Sequence, residues 1–210
     1  MEEQKQKKNH FAGAVVVFLI FVVPAFSYFY LRQGFEYQKE AYALLDSLGV
    51  TPVYQFTDQN GLTVDTATLS GNVILFSVLP ASETDANRTV EQLAKLHDQF
   101  ENTERVYLLT VAPNRNGTSA SDLADRYGMV AKKKWSLVSP EPARVEFVER
   151  QFPAQYQRGK LALIDRYGFV RKYYDPLKNE DMGMLIRHLT FVLPPEEDAD
   201  EVELIRSNEI

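Results

Sequence analysis

The hydrophobic pattern changes period several times along the chain, and each change predicts an element. After ten residues that include Lys5, Lys7 and Lys8, residues 11–31 carry no charge at all. About twenty apolar residues rising ~1.5 Å each cross a hydrocarbon layer ~30 Å thick, so the run predicts a membrane-spanning helix. Tyr28, Phe29 and Tyr30 fall where an interfacial aromatic belt sits, and a kink at Pro24 is tolerated inside a bilayer. The lysines favour the cytoplasmic side. That makes residues 1–10 cytoplasmic and puts everything after Arg32 on the periplasmic, or equivalent extracytoplasmic, side of an inner or plasma membrane. Two other readings compete. A cleaved signal peptide would end near Ala25-Phe26-Ser27, but the apolar run outlasts a typical signal core. A buried core helix would show a polar face, which this segment lacks.

Residues 32–52 read as a helical stalk, with Phe35, Ala41, Leu44, Leu45 and Leu48 at near-helical spacing and Gly49 at the stop. Residues 56–62 read as two short strands around Asn60-Gly61, a strong hairpin signal. The continuous apolar runs 72–79 and 105–112 predict strands covered on both faces. Between them, residues 84–100 set Ala86, Val90, Leu93, Leu96 and Phe100 on one helical face. A loop at 113–118, a short helix stopped by Tyr127-Gly128, a strand at 135–139 and a helix at 141–152 begun by Pro142 follow. Residues 160–165 and 169–174 flank Arg166-Tyr167-Gly168 as an antiparallel hairpin. A last helix, about 179–192, turns Met184, Leu185, Leu189 and Val192 inward. Strand–helix–strand–helix followed by a hairpin and a helix is the α/β order of a thioredoxin-like sheet, here over 53–194. Residues 195–210 hold a run of acids, six between Glu196 and Glu203, and read as a solvated, disordered tail. Asp-Arg-Tyr-Gly occurs at 125–128 and 165–168, once ending a helix and once joining strands, so it marks no repeat.

Composition narrows the chemistry. At 210 residues, 45% hydrophobic and 25% charged, the chain suits one globular domain plus an attachment. A net charge of −6 argues against a nucleic-acid binder. The absence of cysteine excludes disulfides, thiol catalysis, Fe–S ligation, lipidation at a lipobox cysteine and thiolate metal sites. No Gly-rich phosphate loop, HExxH, EF-hand loop or GxSxG elbow is present.

Four segments then match one family in order and spacing: Phe56-Thr57-Asp58-Gln59-Asn60-Gly61, Gly71-Asn72-Val73-Ile74-Leu75-Phe76, Val111-Ala112-Pro113-Asn114-Arg115, and Leu163-Ile164-Asp165-Arg166-Tyr167-Gly168 through Tyr173-Tyr174-Asp175. With the preceding anchor, the chain from about Val53 to Pro194 resembles the Sco/SenC family, membrane-anchored thioredoxin-fold copper chaperones of cytochrome c oxidase assembly. The family's chemistry rests on a CxxxC pair and one distal histidine. Counting from Gly71 puts the cysteine positions at Glu83 and Asn87, and counting back from Asp165 puts the histidine position at Gln157. The family's Asp after the second core strand corresponds to Ala112. The resemblance thus implies the fold without the copper ligands: no cofactor and no metal are expected. Soft Cu(I) selects thiolate and thioether over one carboxylate and two amides. The three histidines lie elsewhere, His10 before the anchor, His97 within a helix and His188 near the end of the last one.

The remaining chemistry has ordinary explanations. Met182 and Met184 sit two apart on a helix and point in different directions, so they read as core rather than a copper clasp. Glu83, Asp85 and Glu91 near a helix start read as capping and dipole partners rather than an acid/base pair. Asp165, Arg166 and Asp175 read as turn residues. Lys132, Lys133 and Lys134 beside the sole tryptophan, Trp135, are the candidate contacts for an acidic partner or lipid headgroups. The favoured function is therefore a tethered binding or assembly module for a respiratory membrane complex, held to the bilayer by residues 11–31 and without enzymatic activity. The alternative is an accessory copper-handling protein that borrows ligands from its partner.

Overall fold

A computed structural model describes residues 18, 20–29, 45–114, 117–129, 132–154 and 156–193. The chain forms two units, Met1–Leu44 and Leu45–Ile210. In the first, residues 20–29 are helical, and Phe21, Phe26, Tyr28 and Phe29 are exposed. Among the described residues no helix is long and apolar enough to cross a membrane. The rest of the expected span at 11–31, the stalk from 32 to 44 and the acidic tail at 195–210 lie outside the described residues.

The second unit begins with a departure from expectation. Residues 45–50 are not the end of a helix: Gly49–Val50 form β1, paired antiparallel to β8 (Phe169–Tyr174). Leu48 N–H donates to the Val170 carbonyl at 2.8 Å and Thr51 N–H to the Gly168 carbonyl at 2.8 Å. Gly49 has φ +143°, and a Cβ there would meet Pro153 Cβ at 2.8 Å. Gly49, which reads as a helix stop, is thus a glycine required by its positive φ and by the close approach of Pro153.

The main sheet runs β1-β8-β7-β4-β5-β6, with β4 at Val73–Val78, β5 at Val106–Val111, β6 at Trp135–Val138 and β7 at Leu161–Ile164. β4, β5 and β6 are mutually parallel, while β7 and β8 return antiparallel. Every residue of β4, β6 and β7 is buried, as continuous apolar strands covered on both faces require. The helices that cover them are α1 (Glu83–Phe100), α2 (Ala120–Arg126), α3 (Pro142–Gln151) and α4 (Asn179–Val192). Ser82 caps α1, Ser119 and Asp122 form a capping box at α2, and Pro142 opens α3. α1 buries Ala86, Val90, Leu93 and Leu96 as its spacing predicts, but His97 rather than Phe100 completes the face. α4 buries Met182 in place of the expected Met184.

The hairpin of β2 (Gln55–Thr57) and β3 (Thr63–Asp65) forms a separate two-stranded sheet. Its turn is built by Asp58, whose Oδ1 accepts from Asn60 and Leu62 N–H at 2.9 Å each. Gln59 reaches across to edge strand β6: its Nε2 donates to the Trp135 carbonyl at 3.1 Å, and Leu137 N–H donates to its Oε1 at 2.7 Å. One side-chain amide thereby occupies the place of a further strand. Gln59→Ala leaves a donor and an acceptor unpaired, and a loss of about 1–3 kcal/mol is expected in urea unfolding.

On the other flank, the Tyr174 hydroxyl lies 2.6 Å from His188 Nδ1. Burial, with Lys172 and Arg187 nearby, holds the His188 pKa below its usual value. The folded state then favours neutral His188, so stability is full above the unfolded pKa of about 6.5 and falls as pH drops below it. Unfolding at pH 7.5 and pH 5 should show this loss, and His188→Gln should reduce the difference.

Candidate functional site

The carboxyl ends of three parallel strands converge on one cleft. β4 delivers Leu79, Pro80 and Ala81, β5 delivers Ala112, Pro113 and Asn114, and β6 delivers Ser139. Glu83 and Ala86 of α1 and Leu123, Arg126 and Tyr127 of and after α2 complete the walls around about 350 Å³. Its floor is small and apolar, with Ala86 and Ala112 almost fully buried. The Asn114 backbone is fixed by its N–H donating to the Pro140 carbonyl at 2.9 Å, while its side-chain Oδ1 is buried with no hydrogen-bond partner among the described residues. Ser139 Oγ donates to the Thr118 carbonyl at 3.1 Å. Burial raises the Tyr127 pKa, with Arg126 opposing that shift, so the phenol stays protonated. The cleft therefore presents a mixed surface, apolar at Leu79, Pro80 and the alanines and charged at Glu83 and Arg126, suited to recognition.

Of the three positions where copper ligands are expected by resemblance, the cleft holds one. Glu83 lines it at the first turn of α1, with its carboxylate 3.7 Å from the Arg126 guanidinium; both are exposed, so the pair contributes little stability. Asn87 is exposed one turn further along α1. Gln157 is exposed in the connection before β7, where Val78 N–H donates to Tyr156 Oη at 2.9 Å, Gly159 N–H to the Val78 carbonyl at 2.9 Å and Tyr156 Oη to the Lys160 carbonyl at 2.7 Å. That connection is thus clasped to the same end of β4 as the cleft. Glu83, Asn87 and Gln157 offer only carboxylate and amide atoms, with the one carboxylate beside a guanidinium. They do not fit a soft copper ion. Among the described residues no three His, Asp or Glu side chains gather as a metal-ligating group.

Of the lysine–tryptophan cluster, Trp135 is corrected. Trp135 is no surface contact: it is 2% exposed, donates from Nε1 to Thr110 Oγ1 at 3.0 Å and stacks on His97 at 5.5 Å. Lys132 pairs with Asp98, and Lys134 donates to the Thr103 carbonyl at 3.2 Å. Lys133 is exposed, and its carbonyl is 2.7 Å from His97 Nε2. The run serves to seat the loop on α1. A second, more open hollow of about 730 Å³ lies beside α3, but its facing charges, Arg158 and Glu149, bind each other at 2.5 and 2.9 Å. Asn114, Arg126 and Tyr127 were not singled out from the sequence as site residues. The signal for Asn114 was its place in the segment after β5; Arg126 and Tyr127 carried none.

No protein-family model matches the chain, and no curated protein sequence matches it. Solved structures do. A SCO1/SenC family lipoprotein from Bacillus anthracis superposes with a TM-score of 0.57 at 19% identity, over 69% of this chain and 95% of that one. BsSco, a member of the Sco family of cytochrome c oxidase assembly proteins, gives a TM-score of 0.58 at 16% identity, over 70% and 95%. The thioredoxin domain of a thiol-disulfide oxidoreductase from Bacteroides vulgatus gives 0.53 at 17%, over 70% and 99%. The fold is that of Sco/SenC and thioredoxin-like proteins. The expected α/β class is therefore found, and at these identities the likeness is one of framework. In this Sco-like framework the cleft is walled by Glu83, Arg126 and small apolar residues, and the chain has no thiol to place there.

Proposed function

We propose that the chain is a membrane-anchored, extracytoplasmic binding module of Sco-like fold, with no copper or redox site of its own. It would use the cleft to hold a protein of a respiratory membrane complex or of its assembly. The observation that carries this reading is a Sco-like framework whose cleft is formed but holds neither thiol nor imidazole. Thiol redox exchange needs a thiolate, so binding is the activity left to this surface. The respiratory assignment draws on the likeness to BsSco, described as belonging to cytochrome c oxidase assembly proteins. The anchor draws on the uncharged run 11–31, the lysines before it and the exposed Phe21 and Phe26 on helical residues 20–29.

The test is purification of the tagged full chain from membranes beside an Ala81→Trp variant that fills the cleft. Recovery of an oxidase subunit or assembly factor with the native chain, lost in the variant, is expected. Stoichiometric Cu(I) binding by the native chain alone, at sub-micromolar affinity, would overturn the reading. A reporter fused after residue 195 should be active only outside the cytoplasm.

A further inference from the structure

Four exposed apolar side chains lie close along the chain at one edge of the sheet, two of them paired in register. Val50 of β1 pairs directly with Phe169 of β8, so the two side chains share a face. Leu48 precedes Val50 across Gly49, and Tyr167 lies in the β7–β8 turn two residues before Phe169, so both are close to that pair along the chain. Val50 is 66% exposed and Tyr167 63%, with Leu48 and Phe169 also open to solvent. The Arg166 guanidinium lies 4.9 Å from the Tyr167 ring centroid, and that of Arg171 lies 5.7 Å from Phe169. Arg171 also binds the buried Asp165 carboxylate, so the acid beneath this edge is neutralised. Aromatic rings and aliphatic chains edged by the Arg166 guanidinium are what a bilayer interface with anionic headgroups accommodates.

The covalent path says what covers this edge. β1 is the first strand after the N-terminal unit, and residues 30–44 lie between the helical residues 20–29 and the start of the second unit at Leu45. Fifteen residues reach at most about 50 Å even when fully extended. A chain end tied at that range meets its surface at an effective concentration of about millimolar, so weak interfacial contacts become populated. The edge nearest the tether by sequence is the one that carries the apolar cluster.

We propose that the corner formed by Leu48, Val50, Tyr167 and Phe169 rests on the surface of the membrane that holds the chain. This rests on the anchored reading above. It also orients the cleft. Gly71 N–H donates to the Arg166 carbonyl at 3.3 Å, so the corner adjoins the start of β4, while the cleft lies past that strand's far end. Six strand residues separate the two, about 20 Å. The cleft then opens away from the lipid, toward the extramembrane part of a partner.

The chain has no cysteine, so a single introduced thiol can be labelled uniquely. Full chain is reconstituted into phosphatidylcholine–phosphatidylglycerol vesicles with a fluorophore at Val50→Cys or Tyr167→Cys, and at Glu83→Cys or Asn87→Cys for the cleft end. Quenching by spin-labelled lipid is measured for each. Several-fold stronger quenching at both corner positions than at the cleft positions is expected, and a reduction when phosphatidylglycerol is omitted. Equal quenching at the two ends, or none at either, in a chain that still floats with the vesicles overturns the corner contact and leaves the anchor standing. A chain that does not float overturns the anchor, and the corner contact with it.

Discussion

Asp165→Ala is expected to destabilise the domain by about 3–5 kcal/mol, the cost of breaking a buried ion pair from one side. The Asp165 side chain is fully buried and that of Arg171 is 13% exposed. Oδ2 accepts from Arg171 Nε at 2.8 Å and Nη2 at 2.6 Å, while Oδ1 accepts from Tyr167 N–H at 3.0 Å and Phe169 N–H at 2.9 Å. One carboxylate therefore closes the β7–β8 turn and neutralises a guanidinium whose Nη1 donates to the Leu45 carbonyl at 3.1 Å. Alanine removes all four bonds. Asparagine keeps an acceptor for the turn and loses the charge, so its cost should be smaller. Arg171→Met alone removes the bidentate donor to the carboxylate, whereas Asp165→Ala with Arg171→Met should cost less than the two single changes together, because both single changes break the same pair. Urea unfolding of the four proteins reads this directly.

That pair also shows where sequence reasoning stops. Asp165 reads as a turn residue, which is correct for Oδ1 and silent about Oδ2. Its partner lies across a strand and its depth depends on the covering of the whole edge. Continuous apolar runs made β4, β5 and β7 legible, because strands buried on both faces need no period to be recognised. α1 was legible through its 3.6-residue spacing, yet His97 entered the core, where its ring stacks on Trp135 and its Nε2 lies against the Lys133 carbonyl. The spacing of Leu45 and Leu48 fits a helix equally well, but pairing with Val170 and Gly168 makes an extended strand there, and no local pattern records a partner so far along the chain. Trp135 was placed with its charged neighbours, whereas strand geometry takes it into the core and Thr110 satisfies its indole N–H. At the candidate site, counting from matched segments put Glu83 on the cleft. The other walls come from loops and a short helix whose convergence is a property of the sheet.

Returning the thiols should give the largest functional change available to this chain. Glu83 and Asn87 stand at i and i+4 of α1, one turn apart on one face, so Glu83→Cys with Asn87→Cys presents two sulfurs to a common ion. Residue 83 opens the helix, where unpaired N–H groups and the macrodipole favour a thiolate over a thiol. The double variant is expected to bind Cu(I) stoichiometrically in competition with a chromogenic chelator, under conditions where the native chain binds none. Adding Gln157→His supplies an imidazole from the connection that Tyr156 clasps to the end of β4, and a further tightening of about tenfold, ~1.4 kcal/mol, is expected if that loop reaches the start of α1. Gain of copper with both changes would mean that the framework still aims all three positions at one point and that only the donor atoms were exchanged. Gain with the thiols and no effect of the histidine would mean that the 156–160 loop has withdrawn, leaving a wider cleft over the alanine floor. Failure of the thiol pair itself would remove the argument from Glu83, while leaving the cleft and its buried Asn114 amide oxygen as the surface to be explained.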